Sequence, residues 1–349
     1  MSPPNPRSHP AWFGAVMGTG ALALSLAYQA EIWQWEWLTT AALVTLGLAS
    51  LLGIVLLPRY LNRLRDRAEL AAELRDPGHG AQLATLPAGL LVLAVAWGRL
   101  GPEIVPTAVS LWIDGVLLVV GAGLSLALGL AWSSSIIRTQ PGLGGINGGW
   151  LIPPVMNLLV PLALLPIIAA NPAQSTLLIV VAFVFYGLGL TLFLLVMPLV
   201  VARLALHEPI PAAMAPSLWI PLAPAGILGF ALLRLLQTAA ASDFPGITSA
   251  TPGVVISAMG VGFGLWWGAL ATLEILRMRR IGRVPRHPGW WGFVFPVAAM
   301  TLSVSGIGAT TDVWLVKILG LLATVGVLAI WLYAAVVTTL IELRARSAR

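Results

Sequence analysis

A chain of 349 residues that is 58% hydrophobic and only 9% charged lies far from the ~25% charged residues of an average soluble domain, so the two or three soluble domains its length would allow are excluded. The net charge of +6 comes from basic residues in short segments between apolar runs, a topology-setting pattern and not a nucleic-acid patch. Cysteine is absent, which excludes disulfides, thiolate metal sites and cysteine nucleophiles.

A helix needs ~20 apolar residues to cross ~30 Å of hydrocarbon. The sequence predicts ten such spans in one transmembrane domain over 1–349, at about 11–29, 38–57, 81–98, 109–132, 149–169, 176–201, 212–237, 252–275, 288–307 and 312–341. The first span is expected to be retained: it is long for a signal peptide, lacks an A-x-A site, and has its pattern repeated by the ninth. The N-terminus, 58–80, 133–148, 202–211, 276–287 and the C-terminal tail hold 16 of the 19 basic residues; Arg99, Arg234 and Lys317 are the rest. By the positive-inside rule both termini are expected in the cytoplasm, in a bacterial inner membrane, with Trp33, Trp35 and Trp37 in an outer aromatic belt.

The ninth span opens as the first does. From His9 the chain reads HPAWFGAVMGTG and from His287 HPGWWGFVFPVA, so Trp12 pairs with Trp290 and Gly14 with Gly292. Prolines recur a few residues into the other odd spans, at Pro87, Pro154, Pro221 or Pro224, and Pro296, while Gly18 and Gly20 occupy this region of the first. A two-helix repeat returns to the same side, and parallel repeats share an axis along the membrane normal. The expected architecture is therefore all-α and polytopic: five helical hairpins with quasi-five-fold symmetry around a central pore, odd helices inside.

Prolines inside these helices are expected to kink them around a water-filled axis, where a freed carbonyl is tolerated, with a Gly18 bend in the first. The residues before the kinks, Met17, Leu86, Pro153, Ala223 and Phe295, are the candidates for an apolar constriction. Phe295, the largest flat side chain of the set, is either a gate or ordinary packing. No carboxylate lies in the odd spans, and five positive helix ends, each about half a charge, converge at one mouth, which favours anions over cations. His9, His79, His207 and His287 precede inner spans and either tune that mouth or cap the helices. Arg234 marks the outer mouth. Asp114 and Lys317, within even spans, either pair with each other or provide a proton relay through Asp114; charge at the bilayer centre costs ~2.5–3.5 kcal/mol on insertion scales.

WFGAVMGTG at Trp12, LPAG at Leu86, GWLIPPV at Gly149, WWGFVFPV at Trp290 and the stretch from Tyr186 to Gly226 resemble the tellurite-resistance/dicarboxylate transporter family, which includes plant slow anion channels and fungal malate and sulfite transporters. The resemblance covers nearly the whole chain. It implies ten helices in five hairpins, a homotrimer with one pore per subunit, and occlusion by the aromatic residue before the ninth-span proline, Phe295. The seventh span departs from it, reading PAGILG where relatives often carry a polar residue. The leading expectation is an anion channel or facilitator for small anions or dicarboxylates. A proton-coupled efflux transporter for dicarboxylate, sulfite or tellurite-type anions is the alternative. No catalytic spacing such as H-E-x-x-H is present, so the expectation is no enzyme, no cofactor, no metal and no nucleic-acid partner, with membrane lipid around the protein.

Overall fold

Helices that are apolar all round must be buried on every side, whereas those with one apolar stripe pack on that stripe alone; in lipid the outer face is apolar as well. The structure, a computed structural model, describes residues 12–65, 67–282 and 288–347. Among the described residues, ten helices are long and apolar enough to cross a membrane. Five of these, the odd-numbered spans, are α1 (Phe13–Trp33), α5 (Thr85–Leu100), α7 (Ile152–Ala170), α9 (Leu222–Ala241) and α11 (Val294–Thr311). The helices that follow them are α2 (Glu36–Arg65), α6 (Thr107–Thr139), α8 (Ser175–Leu206), α10 (Thr251–Ile281) and α12 (Trp314–Ser347). Two short helices, α3 (Arg67–Arg75) and α4 (Pro77–Gly80), lie between α2 and α5. Between 72% and 94% of each inner span is buried, against 17% to 28% of each outer one, and this difference sorts them into two layers.

Each inner helix packs against the outer helix that follows it. The inner helices also touch in sequence: α1 meets α5, α5 meets α7, α7 meets α9, α9 meets α11, and α11 returns to α1. Five buried helices therefore close a ring with one axis. We call the end where these helices begin the leading end and the other the trailing end. Trp33, Trp35 and Trp37 stack in series at the trailing end, with centroids 5.8 and 6.0 Å apart.

The prolines expected to kink the inner helices lie instead at the starts of those helices. Pro87, Pro154, Pro224 and Pro296 each occupy the third position of their helix, and Pro221 is the N-cap of α9. Four 3-10 segments lie before them: Ala81–Ala84, Gly148–Leu151, Ala212–Trp219 and Pro288–Phe293. The first-turn N–H groups of a helix have no intrahelical partner, so a proline there removes a donor that had no acceptor. Outer helices supply donors to carbonyls around these 3-10 segments: Tyr60 Oη donates to Leu83 O at 2.7 Å, Trp132 Nε1 to Pro77 O at 3.0 Å, and Trp267 Nε1 to Leu218 O at 2.8 Å. Gly18, deeper in its helix, serves close approach: a Cβ there would stand 2.9 Å from Val294 of α11.

Candidate permeation pathway

One face of each inner helix looks into the ring. On α1 the stripe is Gly14, Met17, Ala21, Leu24 and Tyr28; on α9 it includes Ala223, Ile227, Phe230, Arg234 and Thr238. Spacings of three and four residues keep such positions on one face. These stripes line two cavities. The leading cavity has a volume of about 530 Å3 and the trailing cavity about 310 Å3. Phe295 lines both, and no other described residue does. It is the second residue of α11, only 5% exposed, and its ring lies among the apolar residues of the inner helices.

Met17 and Ala223 line the leading cavity with Phe295, whereas Leu86 and Pro153 line neither cavity. Leu86 is wholly buried in a cluster with Phe13, Val16, Leu56 and Tyr60, between α1, α2 and α5. Thr85 and Ile152, each one residue earlier, line the leading cavity in place of Leu86 and Pro153. The reason is phase. Consecutive helical residues differ by about 100°, so alignment on a proline one residue out of register turns the side chain away from the axis. The signal that finds Thr85 is the i, i+3, i+4 stripe running through Gln82, Thr85, Val92, Val95 and Arg99.

The leading cavity is polar at its mouth, where Asp76, His79, Gln82, Asn147 and Ser217 are joined by glycines from three segments. Asp76 caps α4, accepting from Gly78 N at 2.8 Å and His79 N at 3.3 Å, and its Oδ2 lies 2.6 Å from His79 Nδ1. Burial pushes the Asp76 carboxyl up, but the His79 ring and the two amides outweigh this and hold it below its ordinary value. Asp76 is the one carboxylate among the described residues lining either cavity. His207 abuts Gly144, where a Cβ would lie 3.2 Å from its Nε2. His9 and His287 lie outside the described residues.

The trailing cavity is apolar in its depth, with Leu24, Val92, Leu162 and Phe230, and basic at its mouth, with Arg99 and Arg234. Arg99, assigned from sequence to a loop, thus joins Arg234. The expected Asp114–Lys317 pair is not formed. Lys317 bonds Asp312, and both Asp114 carboxylate oxygens are buried without a hydrogen-bond partner. The two residues ride on different hairpins: α6 packs on α5 and α7, whereas α12 packs on α11 and α1. Asp114 abuts Gly98, and a Cβ added there would stand 2.5 Å from Asp114 Oδ2 and 2.6 Å from Pro166. Gly98 and Pro166 both line the trailing cavity.

Comparison with known proteins adds a family and relatives. The description "voltage-dependent anion channel" matches residues 7–339. An uncharacterized transporter of Methanocaldococcus jannaschii is 31% identical over 303 residues, covering 84% of this chain and 82% of its own. A sulfite efflux pump of Arthroderma otae is 27% identical over 354 residues, covering 93% and 88% respectively. A sulfite efflux pump of Trichophyton rubrum is 26% identical over 355 residues, with the same coverage.

Proposed function

This chain belongs to the voltage-dependent anion channel family, and on that premise we propose that it passes small anions or dicarboxylates along the axis of its five-helix ring. An anion transport role in a multi-pass membrane protein follows from the family and its relatives; the pathway, the gate and the substrate are our reading. The observation that carries it is the position of Phe295, common to two cavities that otherwise share no residue. An aromatic plug between two wettable chambers blocks flow by excluding water. Met17 and Ala223 complete the apolar neck, and movement of Phe295 off the axis opens it.

In this reading the leading end faces the cytoplasm of a bacterium, where 16 of the 19 basic residues would gather. The chain forms one transmembrane domain with quasi-five-fold symmetry, and three copies assemble with a pore in each. It works as a transport protein and not as an enzyme. The sulfite efflux pumps among its relatives support sulfite as one anion to test. Proteoliposome flux of chloride, nitrate, sulfite and malate, measured against sodium and potassium, tests the reading; cation flux comparable to chloride flux contradicts it.

A second reading, proton-coupled efflux, is favoured by Asp114. A buried carboxyl with neither oxygen hydrogen-bonded, behind Gly98 of the trailing cavity wall, is suited to carrying a proton. Flux driven by a pH gradient in the wild type and lost in Asp114→Asn would favour the coupled carrier; flux indifferent to both favours the channel.

A further inference from the structure

Two guanidinium groups of the trailing cavity share one aromatic ring. Arg99 lies in the last turn of α5 and Arg234 on α9, with their Cζ atoms 4.3 and 5.9 Å from the centroid of Tyr28. Tyr28 is buried and braced edge-on by Phe230, the centroids 5.3 Å apart. The forked donors of a guanidinium match carboxylates and other oxyanions bidentately. Only one carboxylate meets this pair among the described residues: Glu31 bonds Arg99 from a side chain that is 64% exposed. Arg234 instead donates to the neutral amide oxygen of Gln237 at 2.8 Å. Positive charge therefore exceeds negative at the mouth of a cavity whose depth is apolar, and low-dielectric walls focus that field.

We propose that the trailing cavity is a binding site for dianionic oxyanions, held between Arg99 and Arg234 over the Tyr28 ring, with the Glu31 carboxylate as a tethered competitor. Each guanidinium takes one charged oxygen group or one edge of a divalent anion, and Glu31 swings into solvent when the ligand arrives. A cavity of about 310 Å3 is at the small end of ligand-site volumes and admits a short dicarboxylate. The biological use of the site rests on the anion-transport reading; its chemistry does not.

Calorimetry on the purified full chain, with disodium malate and sodium sulfate as probes, tests the site, and chloride flux in proteoliposomes is measured beside it. Wild type binds both probes. Arg234→Gln weakens binding on the order of tenfold, the loss of a charged hydrogen-bonding group. Glu31→Gln, at an exposed position, tightens it by freeing Arg99. Arg277→Gln removes the same charge from α10, where Arg277 bonds Glu274 at 2.8 Å, and leaves binding unchanged. Opposite signs at Arg234 and Glu31 are a result that loss of fold does not produce, and Glu31→Gln decides alone should Arg234→Gln fail to fold. No binding of either probe to wild type, equal weakening by Arg234→Gln and Arg277→Gln, or weakening by Glu31→Gln overturns the site. Binding without chloride flux overturns the transport reading and leaves the site; flux without binding does the reverse.

Discussion

Replacing Phe295 by alanine removes the one side chain among the described residues that lines both cavities, of about 530 and 310 Å3. An anion crossing an apolar neck gives up hydration that the wall does not replace, so a barrier of several kcal/mol is expected there. Lowering that barrier by ~3 kcal/mol would raise flux on the order of a hundredfold. Stability should fall by less than the ~3–5 kcal/mol of a Phe→Ala change in a close-packed core, because cavities already flank the ring. Chloride efflux per folded protein, with thermal unfolding recorded in parallel, measures both effects. Leu86→Ala is the packing control. Leu86 is 0% exposed and lies off the axis, so the change should cost ~2–5 kcal/mol without gain of flux. Met17→Ala, in the wall of the leading cavity, should give a smaller gain than Phe295→Ala. Unchanged or reduced flux in a clearly destabilised Phe295→Ala would refute the gate and make Phe295 part of the packing.

Asp76→Ala removes the α4 cap and should cost the lower part of ~0.5–2 kcal/mol, since the carboxylate is 55% exposed and solvent screens it. The Asp76 carboxyl is held below its ordinary 3.8, so its contribution is complete above that value and fades as pH falls through the lower folded one; pH-dependent unfolding curves of wild type and variant should converge there. Gly18→Ala crowds Val294 and should cost ~1–3 kcal/mol by overpacking, which Val294→Ala in the same chain should partly recover in thermal unfolding. Reporter fusions to the C-terminus should be active only as cytoplasmic reporters, and a periplasmic readout would reverse the orientation.

Ten spans are legible because each is an apolar run long enough for the bilayer, a property of composition alone. The repeat of the first span in the ninth pairs Phe295 with Met17, and the structure places both in the wall of the leading cavity. The prolines mark helix starts faithfully, yet they do not carry rotational phase, so the same alignment misassigns Leu86 and Pro153. Arg99 is hidden by its closeness to a helix end: only the fold turns it over Tyr28, 71 residues earlier in sequence. The pairing of Asp114 with Lys317 fails for a different reason. Both are intramembrane charges that need partners, but which hairpins touch is set by closure of the ring, and that order lies outside any local pattern.

The absence of cysteine from the chain permits the most direct test of a pathway divided at Phe295. Ala223→Cys reports from the leading cavity and Val95→Cys from the trailing one, each probed with a membrane-impermeant thiol reagent added to one side of oriented proteoliposomes. With Phe295 present, the first should react only from the leading side and the second only from the trailing side. With Phe295→Ala added, both should react from either side. Reaction of either cysteine from both sides while Phe295 is in place, or strict one-sided reaction after its removal, would contradict a single axial pathway closed by this ring.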